Sequence, residues 1–234
     1  MSVSAKEVAV GGSSPSSLSL LWASTVGKKA LMALSGLVLF AYVVAHLLGN
    51  LQIYAGSEAI DAYARFLHSK PAVLWTARLI LLAAVLVHAV AGIQLWLRRH
   101  EARPVVYRAR ENIQATAASR TMIWTGFVIA AFVVYHVADL TLGVAHAGPY
   151  VEEQPSINVT GGFSHPVPAL LYVAAMVALG FHLWHGVYSM FGSLGLSHPR
   201  YTECVKRLAA LAATLVALGN ISIPVAVLTG LVHG

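Results

Sequence analysis

Five long runs of apolar residues constrain the fold of this chain more than any other feature. A helix needs about 20 apolar residues to cross a bilayer, and each run is long enough. Only 10% of the residues are charged, against 58% hydrophobic, which is too little charge to cover a soluble domain of this size. We therefore predict an all-α integral membrane protein with five transmembrane helices in a bundle. The predicted spans cover residues 30–54, 72–97, 121–146, 167–191 and 208–232.

The rest of the chain leaves little room for a second domain. Residues 1–17 are small and polar and predict a flexible cytoplasmic tail, and residues 18–234 form a single membrane domain. The one cysteine, Cys204, excludes an internal disulfide and a cysteine-bound cluster. No glycine-rich nucleotide fingerprint follows a strand pattern. Any flavin or iron–sulfur cluster would therefore belong to a partner.

The lysines and arginines predict the orientation. Twelve of the fifteen lie in the N-terminal segment or in the loops near residues 98–120 and 198–207. Because cytoplasmic loops carry the excess of basic residues, we expect the N-terminus in the cytoplasm and the C-terminus outside. The same rule accounts for the net charge of +6 without a nucleic-acid partner.

Histidines inside the apolar runs are the candidate functional residues. Polar side chains at membrane depth are costly unless they are paired, so each indicates a function. A single one could form a structural bond between helices, but four of the five spans carry one: His46, His88, His136, and His182 with His185. The other six are expected to be solvated or interfacial: His68, His100, His146, His165, His198 and His233.

Helix geometry sorts the four positions into two levels. His46 lies 17 residues beyond Lys29, and His136 lies 16 beyond Arg120. At about 1.5 Å per residue, both lie about 25 Å from the cytoplasmic edge. The second and fourth spans run back inward, which places His88 and His182 about 15–20 Å from the same edge.

Two imidazoles at equal depth on neighbouring helices suit the two faces of one haem. The levels therefore predict two stacked b haems, the outer held by His46 and His136 and the inner by His88 and His182. Zinc would need tetrahedral closure, usually with a carboxylate or thiol nearby. Asp139 is the only acid within a turn of any of the four histidines.

Glycine spacing favours His182 over His185. Gly92 follows His88 by four residues, and Gly186 follows His182 by four. That spacing puts each glycine on the face of its histidine, where the missing side chain leaves room for porphyrin to pack. His185 has Ser189 at the same distance, so it is the second choice.

Three segments carry a resemblance to a known family. They are "STVGKKALMALSGLVLFAYVVAHLLGN", "GSEAIDAYARFLHSKP" and "FHLWHGVYSMFGSLGL". Together they resemble the membrane cytochrome b subunits of bacterial succinate dehydrogenases and fumarate reductases, of the single-chain, five-helix, two-haem type. The four histidines match the ligand positions of that family.

The resemblance implies a multi-pass protein of the bacterial cell membrane. It would be the non-catalytic subunit that anchors a flavoprotein and an iron–sulfur protein on the cytoplasmic face. Succinate chemistry would lie in the flavoprotein, and electrons would pass between the clusters and a quinone, usually menaquinone. Quinone chemistry also needs a proton-exchanging group, and the position of Glu58 just past the first span makes it the candidate, with Asp61 next. The other interpretation is that both are solvated loop acids.

Two other functions fit parts of the pattern. A di-haem cytochrome b subunit of a hydrogenase, formate dehydrogenase or nitrate reductase would have the same histidines and a different cytoplasmic partner. A haem-free transporter could use the histidines as a proton relay, but such transporters are built from broken helices and inverted repeats. Apart from Pro224, the five spans are uninterrupted.

Overall fold

The structure, a computed structural model, describes residues 17–101 and 117–233. The predicted tail, except for Ser17, and most of the basic loop near residues 98–120 lie outside those residues. Within them, every regular element is a helix. In chain order they are α1 Ser17–Ala23, α2 Thr25–Asn50, a 3-10 turn Leu51–Ala55, α3 Ser57–His68, α4 Pro71–Glu101, α5 Ala117–Leu140, α6 Pro155–Phe163, α7 Pro166–Ser193 and α8 Pro199–Leu228.

Five of these helices, α2, α4, α5, α7 and α8, are long and apolar enough to cross a membrane. The prediction of an all-α protein with five transmembrane helices is confirmed. Proline occupies the first turn of α7 and of α8, where its missing N–H would have had no helical partner.

The two largest differences between the helix ends and the predicted spans, at the end of α5 and the start of α8, have local reasons. Helix α5 ends at Leu140, six residues before the predicted limit, and Gly143 follows with φ of 69°. That left-handed residue turns the chain back toward the bundle. Helix α8 begins at Pro199, nine residues earlier than its apolar run, because its polar first turns stay helical beyond the apolar stretch.

Helix α7 lies at the centre of the bundle and packs against α2, α5 and α8, and α2 packs against α4. Small residues allow the closest approach: Ala169 and Ala175 of α7 and Ala213 of α8 are buried. A Cβ on Gly180 would lie 3.1 Å from the Cβ of Ala217. Close backbone contact through small residues is the usual way in which membrane helices associate.

One end of the bundle, called here the basic end, is where α2 and α5 begin and α4 and α7 end. It carries Lys28, Lys29, Arg98 and Arg99. The hydroxyl of Ser24 caps α2 by accepting from the Gly27 N–H at 2.8 Å. The guanidinium of Arg98 donates to the Ala23 carbonyl at 3.2 Å, which ties α4 to the junction of α1 and α2.

The opposite end, called here the cap end, is covered by the 3-10 turn, α3 and α6. Helix α6 has no cap from the residue before it. Its cap comes instead from Asp61 on α3, which accepts from the Ser156 N–H at 2.9 Å and the Ser156 hydroxyl at 2.6 Å. A carboxylate at a helix N-terminus satisfies free N–H groups and favours the helix dipole. The cap thus joins segments 95 residues apart in sequence.

Candidate functional site

Two histidines from different halves of the chain meet near the cap end. His46 of α2 and His136 of α5 have ring centroids 5.8 Å apart, with the ring planes at 87°. The ring of Tyr42, one turn earlier on α2, stacks on His46 at 5.4 Å. The structure therefore brings together the two side chains that the depth argument assigned to the outer level.

The second pair lies nearer the basic end. His88 of α4 and His182 of α7 have ring centroids 6.1 Å apart, with the ring planes at 63°. In the described part of the chain, no ring contact joins His185 to another imidazole, and its side chain is half-buried one turn nearer the basic end. The geometry favours His182 over His185, as the glycine spacing did.

The distance between the two levels follows from the positions of Gly36 and Gly126, two glycines that the sequence analysis did not single out. A Cβ on Gly36 of α2 would lie 3.1 Å from Cε1 of His88, and one on Gly126 of α5 would lie 3.6 Å from Cε1 of His182. Each glycine precedes the cap-end histidine of its own helix by ten residues. Ten residues rise about 15 Å, so the two pairs lie about 15 Å apart along both helices.

The hydrogen bonds of His88 and His182 fix where each imidazole carries its proton. Nδ1 of His88 lies 3.0 Å from the Met32 carbonyl oxygen, which can only accept. Nδ1 of His182 lies 3.2 Å from the Thr125 hydroxyl, whose own proton goes to a backbone carbonyl of α5. In both rings Nδ1 is therefore the donor, and Nε2 keeps its lone pair.

His136 at the cap end follows the same rule. Its Nδ1 lies 3.2 Å from the Tyr172 hydroxyl, and that hydroxyl donates to Oδ2 of Asp139 at 2.8 Å. A hydroxyl has one proton to give, so its oxygen accepts from His136. Histidines that bind metals commonly donate from one nitrogen and coordinate with the other. Three of the four imidazoles are held ready to coordinate through Nε2.

These pairs fit the axial ligation of a haem. Bonds of about 2 Å from iron to one imidazole on each face place the ring centroids about 6 Å apart. Between residues 17–101 and 117–233, no hydrogen bond joins the two rings of either pair, so hydrogen bonding between the imidazoles does not explain why they face each other. In the same residues, no three His, Cys, Asp or Glu side chains converge on a possible metal ion, so a tetrahedral zinc site lacks ligands.

The predicted glycines, Gly92 and Gly186, differ in their surroundings from the two glycines found against the imidazoles. A Cβ on Gly186 would meet nothing within 4 Å, and one on Gly92 would meet only the Met32 sulfur at 3.8 Å. Gly36 and Gly126 lie directly against the rings instead. In the sequence, each of these two glycines precedes the cap-end histidine of its own helix by ten residues. That shared interval becomes informative only when the depths of the histidines and the pairing of the helices are known.

The acids near the cap end have different environments. The side chain of Glu58 is 84% exposed and pairs with Arg65. Asp61 caps α6. Asp139 is only 1% exposed and accepts from Nδ1 of His146 at 2.7 Å. His146 was expected to be solvated or interfacial, and solvation was wrong: its side chain is fully buried, because the turn at Gly143 folds it back onto Asp139.

The family model of the succinate dehydrogenase/fumarate reductase transmembrane subunit matches the chain over residues 98–221. The chain belongs to this family. No curated protein and no solved structure matches it significantly.

The family match agrees with the five membrane-spanning helices, and the chain is a multi-pass membrane subunit of a succinate dehydrogenase or fumarate reductase. The matched region runs from the last residues of α4 into α8 and contains His136 and His182. His46 and His88 lie before it, so their assignment depends on the geometry of the pairs. Membership of this family also argues against the hydrogenase-type and transporter alternatives.

Proposed function

We propose that this subunit relays electrons between the iron–sulfur clusters of a partner and a membrane quinone, through two b haems. His46 and His136 hold the outer haem, and His88 and His182 hold the inner one. The observation that carries the proposal is the arrangement of two imidazole pairs at two levels, with Nδ1 of His88, His136 and His182 each bonded to a group other than the facing imidazole. Haem iron supplies one-electron transfer when it is bound.

In this proposal, the protein orients the histidines that bind haem iron and keeps water away from the route of the electrons between the two levels. The Met32 carbonyl and the Thr125 hydroxyl hold His88 and His182 in the form that coordinates through Nε2. Gly36 and Gly126 keep side chains away from the rings. The apolar helices exclude water, so charge moved between the levels crosses a region of low dielectric constant. Each charge moved across the whole membrane is worth about 2.3 kcal/mol per 100 mV.

The basic end faces the cytoplasm in this proposal and docks the flavoprotein and iron–sulfur subunits. Lys29, Arg98 and Arg99 are exposed there and suit an acidic partner surface. The inner pair lies nearer this end, so electrons from the clusters would reach it first. The protein would lie in the bacterial cell membrane with its C-terminus outside.

The proposed substrate is a membrane quinone, and menaquinone is the proposed species. It would exchange electrons with the relay near the cap end. Glu58 is the proposed proton-exchanging group of the quinone site, because it lies on the cap at the outer level and its carboxylate is accessible. Arg65 pairs with Glu58 and would hold its carboxylate in place. Asp61 is less suited to this role, since both of its oxygens are bonded to Ser156.

A reduced-minus-oxidised spectrum of the purified complex, with haem quantification, tests the proposal. We expect two b haems for each copy of this chain and co-purification with a flavoprotein. Replacing His46 or His136 should remove one haem, and replacing His88 or His182 should remove the other. A colourless intact complex, or a single haem with all four histidines present, would refute the relay.

A further inference from the structure

A buried hydrogen-bond chain leads away from the cap-end histidine pair. Nδ1 of His136 donates to Tyr172 at 3.2 Å, Tyr172 donates to Asp139 at 2.8 Å, and His146 donates to the other oxygen of Asp139 at 2.7 Å. Three segments contribute: α5, α7 and the loop after α5. The chain ends at Nε2 of His146, which is buried and has no partner among the described residues.

Burying the Asp139 carboxylate is costly unless both of its oxygens accept hydrogen bonds, as they do here from Tyr172 and His146. An isolated buried carboxylate is strongly unfavourable, whereas one that accepts from two donors is tolerated. The surroundings of the loop hold His146 in place: a Cβ on Gly162 of α6 would lie 2.8 Å from Cε1 of His146. The helix that Asp61 caps therefore packs against the residue that satisfies Asp139.

Among residues 17–101 and 117–233, no such extension leads from the basic-end pair. His88 donates to a backbone carbonyl, and His182 donates to the Thr125 hydroxyl, whose proton ends on the backbone. In the described part of the chain, only the cap-end pair reaches a carboxyl group through its hydrogen bonds. A hydroxyl that donates to a carboxylate becomes a stronger acceptor, since bonds in a chain polarise one another. A stronger acceptor on Nδ1 makes the imidazole a more basic ligand.

We propose that Tyr172 and Asp139 are positioning residues that lower the midpoint potential of the outer haem. Through Tyr172, Asp139 holds His136 as the Nδ1–H tautomer and enriches Nε2 in electron density, which favours ferric over ferrous iron. This inference rests on the proposed function, because it requires a haem between His46 and His136. Neither residue touches the iron, so both act through His136.

A redox titration of the purified complex containing Tyr172→Phe tests this role, with the two haems resolved by low-temperature optical or electron paramagnetic resonance spectra. Phenylalanine keeps the ring and removes the oxygen that accepts from His136. We expect the reduction equilibrium of the outer haem to change by about tenfold, an upward shift of about 59 mV for one electron. The inner haem should keep its potential.

Thr125→Val is the matched control at the other level, because it removes the hydroxyl 3.2 Å from Nδ1 of His182 and leaves Tyr172 intact. It should raise the potential of the inner haem and leave the outer haem unchanged. Asp139→Asn supplies a second variant that keeps an oxygen for Tyr172 and removes the carboxylate. Its outer haem should shift in the same direction as in Tyr172→Phe, by a smaller amount.

The outcomes separate this inference from the proposed function. If the unaltered complex contains both haems and neither potential moves in Tyr172→Phe or Asp139→Asn, the relay stands and the tuning role is refuted. Loss of the outer haem from both variants would also refute tuning and leave the network a purely structural role. If the unaltered complex lacks the outer haem, the proposed function is refuted, and the tuning role that rests on it is refuted as well.

Discussion

His88 and His182 face each other from α4 and α7 with ring centroids 6.1 Å apart, and each gives its Nδ1 proton to a group on a third or fourth helix. The pair is thus held by α2 and α5 as well as by its own helices. A rotation of any of the four helices would break either the facing pair or one of its supporting bonds.

Replacing His182 with alanine should remove one haem. The haem content is expected to fall from two per chain to one, because the inner haem loses one of its two proposed histidine ligands. The measurement is haem quantification of the purified complex. His185→Ala is the matched control on the same helix and should keep both haems; loss of a haem from His185→Ala alone would reverse the assignment.

Replacing Gly36 with leucine should disturb the inner haem only. A Cβ there already lies 3.1 Å from His88, so a larger side chain must push the imidazole aside. We expect a loss of inner-haem absorbance with the outer haem retained, read from the reduced-minus-oxidised spectrum. Gly192→Ala, where a Cβ meets nothing within 4 Å, should leave both haems in place. Retention of two normal haems in Gly36→Leu would contradict the packing argument.

Replacing Asp61 with alanine should destabilise the cap end. The change removes the carboxylate that accepts from the Ser156 N–H and hydroxyl at the start of α6, and loss of a helix cap costs about 1 kcal/mol. We expect the outer haem's absorbance to be lost at a lower midpoint temperature in the variant than in the unaltered complex when the purified complex is heated. Arg65→Ala on the same helix removes an exposed ion pair and should change the midpoint little. Equal effects of the two changes would show that the cap does not depend on Asp61.

Replacing Glu58 with glutamine should slow quinone reduction while leaving stability and haem content unchanged. Glutamine keeps the shape of the side chain but cannot exchange the proton, and general acid–base groups typically contribute about 10²- to 10⁴-fold. Quinone reductase activity compared with succinate oxidation by an artificial acceptor isolates the step. Unchanged quinone activity would show that Glu58 is a solvated surface acid.

The bundle could be predicted from sequence because bilayer thickness and helix rise are fixed quantities. The apolar runs gave five spans, and counting residues from the basic ends assigned His46 to His136 and His88 to His182. Helix ends were less accurate, since hydropathy reports only the part inside the membrane: the polar turns at the start of α8 remain helical beyond it.

The supporting groups could not be predicted, because they depend on how each helix is rotated about its axis. Nothing near Thr125 or Tyr172 in the sequence marks them as partners of His182 and His136. The short helices of the cap end were also missed. Helix α6 is only nine residues long and takes its cap from Asp61, far away in sequence.

Each imidazole pair takes one member from α2 or α4 and the other from α5 or α7. If the proposed haem ligation holds, neither half of the molecule carries both ligands of a haem, so a nascent chain with only its first two spans in the lipid could not retain a porphyrin. Haem insertion would then occur late in biogenesis, and each bound iron would cross-link the two halves of the molecule.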